Sequence, residues 1–116
     1  MPDTIESLTR LAIEFRDARD WKQFHNSKDL AICLSIEAAE LMELVLWKSQ
    51  DELSAPDAKR TQAMGEELSD VLHAVLLLAE ENGIDLSKAF REKMLKNAMK
   101  YPADKARGRS VKYTEL

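Results

Sequence analysis

Apolar residues recur at helical spacing through most of the chain, and no stretch alternates in the way that predicts a strand. The first pattern predicts a helix from about residue 4 to 18, with Asp3 as its N-cap and Glu6 completing a capping box. Its buried face is formed by Ile5, Leu8, Ala12 and Phe15.

The second predicted helix is apolar on nearly every side. Asn26 or Ser27 is expected to cap its N-terminus, and the pattern continues to about Trp47 or Lys48. The preceding segment, 21–26, has no helical period and predicts a loop across the end of the bundle. A helix with apolar residues all round must be buried on more than one side.

Two further helices follow. The third is expected from about Pro56 to Glu81, closed by Asn82 and by Gly83 in the left-handed conformation. Asp85 caps the fourth, and Pro102 ends it. The remaining residues to 116 show no helical period and are expected to extend over a neighbour or to be mobile.

These elements predict an all-α fold, a four-helix bundle formed by a single domain over residues 1–116. Two apolar stripes cannot both be covered within one such bundle, which predicts a homodimer or a larger homo-oligomer. The stripes are formed by Ile32, Met42 and Leu46 on the second helix and by Leu68, Leu72, Leu76 and Ala79 on the third.

Four acids interrupt the buried faces of the second and third helices. Glu37 and Glu40 are three residues apart, as are Glu67 and Asp70, so each pair lies on one helix face. A buried carboxylate is normally paired, bound to a metal or neutralised. A single such acid is usually explained by an ion pair or a solvated edge, whereas two matched pairs favour a shared site.

Oxygen ligands of this kind suit one or two Mg²⁺ or Mn²⁺ ions that also hold a polyphosphate, with a further carboxylate available as a general base. The competing interpretation is a di-iron bundle, which requires two Glu-x-x-His motifs. His25 lies outside the predicted helices. His73 lies roughly 240° around the helix from Glu67, so it is expected to point away from the acids, partly exposed or at an interface.

The net charge of −4 argues against binding of a nucleic-acid polymer. Residues 93–112 nevertheless carry seven Lys or Arg and one acid, and the tail from about 102 is basic. This segment is either a solvated surface or a phosphate clamp.

Cys33 is expected to be a small buried hydrophobe. No signal peptide or membrane-spanning run is recognisable, so we expect a cytoplasmic protein without a membrane partner.

Two groups of side chains have both a structural and a functional interpretation. Trp21, Phe24 and His25 either pin the loop or form a flat wall on which a nucleobase stacks. A polar line with i, i+4 and i+8 spacing runs along the fourth helix, formed by Lys93, Asn97 and Tyr101.

The sequence resembles the MazG-like, all-α nucleoside triphosphate pyrophosphohydrolases, and within them the small branch that includes deoxycytidine triphosphate pyrophosphatases. The similarity extends through FRDARDW, EAAELMELVLWK, EELSDVL, KNAMKYPADKARG and KYTEL. Glu37, Glu40, Glu67 and Asp70 match the acids of the family motif. Ile36 replaces its first acid, as in the small branch, and Ala39 replaces a frequent glycine.

The resemblance implies that the four acids bind Mg²⁺ and that water attack on a deoxynucleoside triphosphate releases pyrophosphate and a monophosphate. It further implies that Trp21 and Trp47 form the base pocket, with dCTP-like substrates favoured. Lys93, Asn97 and Tyr101 would reach phosphates or sugar. Packing at a helix end is the other interpretation of Trp47, and a non-catalytic nucleotide-sensing or assembly module is the other interpretation of the chain.

Overall fold

Helices form the regular structure of the chain, and no strand is present. The computed structural model describes residues 1–116. Its α-helices are α1 (Ile5–Asp17), α2 (Ser27–Glu43), α3 (Gln50–Ser54), α4 (Ala58–Glu81), α5 (Leu86–Lys100) and α6 (Ala103–Ala106). Single 3₁₀ turns occupy Lys22–Phe24 and Tyr113–Glu115. The predicted all-α class is confirmed, and none of these helices has the length and hydropathy needed to span a membrane.

The chain divides into two compact units, residues 1–84 and 85–116. In the first unit, α1 and α2 both pack against α4. The core between them contains Ala12, Leu30 and Leu77, with Leu78 packed beside it. Because α4 has a helix on two of its sides, it buries residues on more than one face.

The N-cap of α1 is Thr4, one residue later than predicted. The backbone of Thr4 is extended, and its hydroxyl accepts a hydrogen bond from the Ser7 amide at 3.0 Å. The Thr4 amide donates to Ser7 Oγ at 2.8 Å, which completes the capping box. Asp3 instead accepts a hydrogen bond from the Ser7 hydroxyl. Thr4 takes the cap position because Ser7, at the third helical position, returns a hydrogen bond to its amide.

The predicted end of the second helix was wrong. Regular α-helix stops at Glu43, and the amide of Leu44 donates three residues back, to Leu41. The turn that follows ends at Trp47, whose φ of 66° is left-handed and cannot continue a helix. Apolar side chains run on through this turn, so the hydrophobic pattern alone could not locate the end.

The polar segment after this turn contains a short helix, α3, that the sequence analysis did not predict. Ser49 caps it by accepting a hydrogen bond from the Glu52 amide at 3.1 Å. The next long helix then starts at Ala58 rather than near Pro56, because the Asp57 carboxylate caps it by accepting from the Arg60 amide at 3.0 Å.

The end of α4 agrees with the prediction. Gly83 has a φ of 61°, its amide donates to the carbonyl of Glu80, and the amide of Ile84 donates to that of Ala79 at 2.9 Å. These two bonds form a Schellman motif, which requires a left-handed residue at the glycine position. Glycine adopts this conformation without the steric cost of a Cβ.

The second unit begins as predicted and ends differently. Asp85 caps α5 by accepting from the Lys88 amide at 3.1 Å. The tail contains two short helical turns where no helix was expected. It folds back locally, since the Tyr113 ring packs edge-on against Tyr101 at 6.0 Å and Lys100 Nζ lies 5.0 Å from the Tyr113 ring.

Large apolar side chains remain exposed on the first unit. On α2 these include Ile32 and Ile36, and on α4 they include Leu68 and Leu72. Of the second stripe of α4, Leu76 and Ala79 are buried within the chain, so Leu68 and Leu72 are the part that remains uncovered. Cys33 is exposed rather than buried, since α4 covers only part of α2.

We expect Gly83→Ala to lower the free energy of unfolding by about 1–2 kcal/mol, because alanine must adopt a left-handed conformation there. Gly65→Ala is the matched control in the interior of α4, where an added Cβ meets nothing within 4 Å. It should raise the free energy of unfolding by about 0.5–1 kcal/mol. Urea unfolding followed by circular dichroism measures both. Equal effects of the two substitutions would contradict the assigned helix end.

Candidate active site

The start of α2 lies beside the end of α4. The Asn82 side-chain amide donates to Ser27 Oγ at 2.9 Å, and the Ser27 hydroxyl lies 3.2 Å from Asn82 Oδ1. The two helices are therefore antiparallel. Glu40 follows Ser27 by 13 residues, and Asp70 precedes Asn82 by 12. At about 1.5 Å of rise per residue, the two acids lie at the same level of the helix pair.

Three of the four predicted acids form a tight cluster. Glu37, Glu67 and Asp70 each offer a carboxylate oxygen, and these oxygens all lie within 4.8 Å of one another. Glu37 and Glu67 are half-buried, whereas Asp70 is exposed. The helical period and the antiparallel register together bring one pair of acids from α4 against α2. A cluster of this kind can hold a metal ion.

Glu40 links the other two glutamates. Burial raises the pKa of both Glu37 and Glu67 above the ordinary glutamate value. A hydrogen bond with Glu40 raises each pKa further, and the negative charges of Glu40 and Asp70 add to the effect. All four predicted acids therefore interact in one site, although only three of them offer oxygens to a common point.

No basic side chain of the chain forms an ion pair with these four acids. The ion pairs are Arg16 with Asp17, Arg60 with Asp57 and Lys88 with Glu92. Glu37 Oε2 and Glu67 Oε2 are buried and have no hydrogen-bond partner. An ion pair within the chain is thus excluded as the explanation of the buried acids, and their oxygens remain available to an external cation or proton donor.

A cavity of about 230 Å³ adjoins the acids. Glu37 and Asp70 form part of its wall, and Trp21 forms another part. The remaining walls include Leu30, Ala74 and Leu77. Trp21 is 44% exposed, and its ring meets Phe15 edge-on at 5.8 Å. The structure thus brings Trp21 and His25 of the predicted aromatic wall together with two of the predicted acids around one space, whereas Phe24 does not line it.

Two residues of this cavity were not expected there. Arg16 is the buried charged residue of the chain, with 5% of its surface exposed. It follows buried Ala12 by four residues, so the helical period of α1 would have found it. His73 lines the cavity together with Asp70. The expectation that it points away from the acids was wrong, because α1 covers that flank of α4 and Phe15 packs edge-on against the imidazole at 5.8 Å.

The other predicted substrate-binding residues lie elsewhere in the chain. Trp47 is 92% exposed in the turn after α2, so packing at a helix end does not explain it. In the second unit, Lys93 is exposed and Asn97 is half-buried on α5. Tyr101 follows the helix and contacts Tyr113.

The raised pKa of Glu67 predicts a pH dependence of stability in the metal-free protein. In the pH range between the ordinary and the raised pKa, the folded state binds more protons than the unfolded state, so stability falls as pH rises. Glu67→Gln removes this loss. Its melting temperature in EDTA should exceed that of the wild type by a margin that grows from pH 4 to pH 8.

Glu80→Gln, at an exposed position of the same helix, is the control for the chemical exchange itself. It should show no growing margin over this pH range. Scanning calorimetry measures all three proteins. A margin for Glu67→Gln that is independent of pH would show that the carboxylate is not strained by its neighbours.

Known proteins of similar sequence point to one family. Residues 32–116 match the model of the MazG-like family. The chain is 43% identical over 116 residues to dCTP pyrophosphatase 1 of Rattus norvegicus, an alignment that covers 97% of this chain and 68% of the relative. It is 43% identical over 115 residues to dCTP pyrophosphatase 1 of Homo sapiens, with the same coverage.

A solved structure gives the same result for the fold. The crystal structure of a pyrophosphatase from Archaeoglobus fulgidus DSM 4304 superposes with a TM-score of 0.79 at 39% sequence identity. The match covers 88% of this chain and 95% of that one. From the match over residues 32–116 and from these relatives, the chain belongs to the MazG-like family.

Proposed function

We propose that the chain is a Mg²⁺-dependent deoxynucleoside triphosphate pyrophosphohydrolase that produces a deoxynucleoside monophosphate and pyrophosphate. The observation that carries this proposal is the cluster of Glu37, Glu67 and Asp70, which forms no ion pair with a basic side chain and lies beside a cavity walled in part by Trp21. Membership of the MazG-like family and similarity to proteins named dCTP pyrophosphatase 1 support the reaction. On the same grounds, dCTP and related nucleotides are the preferred substrates.

The donor set fits a hard divalent cation. Mg²⁺ binds carboxylate oxygens and keeps positions for water and substrate phosphates. Glu37, Glu67 and Asp70 supply three such oxygens at close range, and the unpartnered oxygens of Glu37 and Glu67 lack the hydrogen bonds that burial normally demands. Mn²⁺ fits the same set. We propose these three acids as ligands, with Glu40 as the fourth acid of the site.

The bound cation would neutralise the polyphosphate and lower the pKa of an attacking water. Water adds across the anhydride bond between the α and β phosphorus atoms, and pyrophosphate leaves. The water proton needs an acceptor nearby. Glu40 contributes to the raised pKa of both Glu37 and Glu67 but does not belong to the three-acid cluster. We therefore assign it as the proton acceptor.

The remaining contacts to the substrate follow from side-chain chemistry. The Trp21 ring in the cavity wall offers a surface for stacking a base. We propose that exposed Trp47 also contacts the base, and that Lys93, Asn97 and Tyr101 bind phosphates or sugar.

We further propose that the chain forms a homodimer or a homotetramer. Ile32 and Ile36 on α2 and Leu68 and Leu72 on α4 form exposed apolar pairs with i, i+4 spacing. A groove of about 450 Å³ between α1 and α4 is lined mainly by apolar side chains, among them Leu11 and Leu72. Exposed apolar surface of this kind is typical of faces that are covered on association.

Leu68→Glu should therefore reduce the molar mass in solution, because an unpaired charge opposes burial of this face. Gln62→Glu introduces the same charge at an exposed polar position of α4 and should leave the mass unchanged. Size-exclusion chromatography with light scattering measures both. A wild-type mass of 13.2 kDa, that of one chain, would contradict self-association.

Two substitutions separate the proposed roles of the acids. Asp70→Asn should weaken Mn²⁺ binding and lower kcat/KM for dCTP by at least about a hundredfold, since even loss of a ligand's outer partner costs 10- to 100-fold. Glu40→Gln should lower kcat to a similar extent, while the protein still binds Mn²⁺. Pyrophosphate release measures activity, and electron paramagnetic resonance measures bound Mn²⁺.

Glu43→Gln, at an exposed position one turn beyond Glu40, serves as the control and should retain full activity and Mn²⁺ affinity. Loss of Mn²⁺ binding in Glu40→Gln would make Glu40 a ligand rather than the base. Hydrolysis of no natural or modified deoxynucleoside triphosphate by the wild type with Mg²⁺ would overturn the enzymatic proposal and leave a binding module.

A further inference from the structure

Arg16 is a buried cation in the wall of the cavity, close to the C-terminus of α1. Only 5% of its surface is exposed, and it lines the same space as Trp21, Glu37 and Asp70. Burial of a charge is expensive unless its hydrogen-bonding groups are satisfied. The question for Arg16 is therefore which N–H donors of its guanidinium have hydrogen-bond partners within the chain.

The contacts of the guanidinium use only one of its nitrogens. Nε donates to Asp17 Oδ1 at 2.9 Å. This hydrogen bond holds the pKa of Asp17 below its ordinary value. The two terminal nitrogens, which carry four of the five N–H donors, have no hydrogen-bond partner in the chain. Asp17 thus fixes the Nε side of the guanidinium. The two terminal nitrogens, here called the terminal fork, are left to bind another group.

The backbone at Arg16 also fixes the position of Trp21. The Arg16 carbonyl accepts hydrogen bonds from the amides of Trp21 at 3.1 Å and Arg19 at 3.2 Å. The backbone of Trp21 is consequently hydrogen-bonded to the residue that carries the guanidinium. Trp21 and Arg16 therefore line the same cavity from one turn of the chain.

We propose that Arg16 is a specificity-determining residue whose terminal fork donates two hydrogen bonds to the O2 and N3 atoms of a cytosine base in this cavity. The inference rests on the proposed function and names a residue of this chain that selects the base. In cytosine these two adjacent atoms are both acceptors. They match the parallel N–H groups of a guanidinium, as in the bidentate contacts of arginine with other bases.

The same geometry disfavours other bases. In thymine and uracil, N3 carries a hydrogen and is a donor, so one N–H of the fork would face another N–H group. A purine presents a further problem of size. The cavity volume of about 230 Å³ lies below the usual range of roughly 300–1,000 Å³ for ligand pockets, which favours a base with a single ring.

A phosphate contact is the other chemistry that a free guanidinium offers. The composition of the wall favours the base, because Trp21, Leu30 and Leu77 surround the space with apolar surface. The two roles differ in their consequences. A phosphate contact would be lost equally from all nucleotides, whereas a base contact would be lost selectively from cytosine nucleotides.

Arg16→Met and Arg10→Met test this difference. Arg10 is exposed on the same helix and outside the cavity, so its substitution should leave all rates unchanged. Arg16→Met should lower the ratio of kcat/KM for dCTP to that for dTTP by roughly 10- to 100-fold. Arg16→Lys keeps the charge without the fork and should lower the same ratio.

A substrate analogue makes the test independent of any effect of substitution on folding. In 3-deaza-dCTP a C–H group replaces N3, so the wild type should use it roughly tenfold or more less efficiently than dCTP. Arg16→Met should not distinguish the two. Calorimetric titration with dCMP and dTMP, without divalent ions, should show the same selectivity in the wild type and its loss in Arg16→Met.

The outcomes separate this inference from the proposed function. Selective binding of dCMP through Arg16 without hydrolysis of any triphosphate would support base recognition and overturn the enzyme. Hydrolysis with equal losses for dCTP and dTTP in Arg16→Met would overturn the base contact and leave the enzyme in place. Equal use of dCTP and 3-deaza-dCTP by the wild type, or a preference for dGTP, would also overturn it.

Discussion

The packing of α2 against α4 holds this fold together, and it forces acidic side chains of the two helices close to one another. Apolar packing sets the two helices antiparallel, and this register brings Glu37, Glu67 and Asp70 within a few ångströms of one another. Repulsion and burial oppose that arrangement, as the raised pKa values of Glu37 and Glu67 show. The chain therefore sacrifices stability at this level of the bundle. A cation that binds only the folded state would recover that stability, which couples metal binding to folding.

The helical period was sufficient to predict which face of each helix carries the acids. Two acids three residues apart lie on the same side of a helix. Because that side is otherwise apolar and buried, the carboxylates need a cation or a proton to balance their charge. The register between α2 and α4 was not available from periodicity, because it depends on contacts between residues far apart in the chain, such as that of Ser27 with Asn82, 55 residues apart. Long, strongly periodic helices were predictable for the same reason, while α3, with five residues, has too little sequence to show a period.

The errors arose where tertiary contacts or local hydrogen bonds override the pattern. Helix α2 ends at Glu43 although apolar residues continue. The amide of Leu44 donates to the carbonyl of Leu41, three residues back, and the chain continues as a turn. The direction of His73 was predicted from its angle to Glu67 alone. Because α4 packs against both α1 and α2, a side chain that points away from Glu67 on α4 can still lie inside the protein. Arg16 escaped notice since charged residues are usually exposed. Its position one turn after Ala12 on the buried face was the available signal.

The acids and the guanidinium come from different parts of the fold, and this separation has a consequence for how the site can vary. The acids are fixed by the register of α2 and α4. Arg16 is fixed by the last turn of α1, through Asp17 and the Trp21 amide. If Arg16 contacts the base as proposed, a substitution there would change which base fits without altering the register that fixes the carboxylates. A substitution that shifts α2 along α4 would instead disturb the acids first, and the reaction would be lost whatever base is bound.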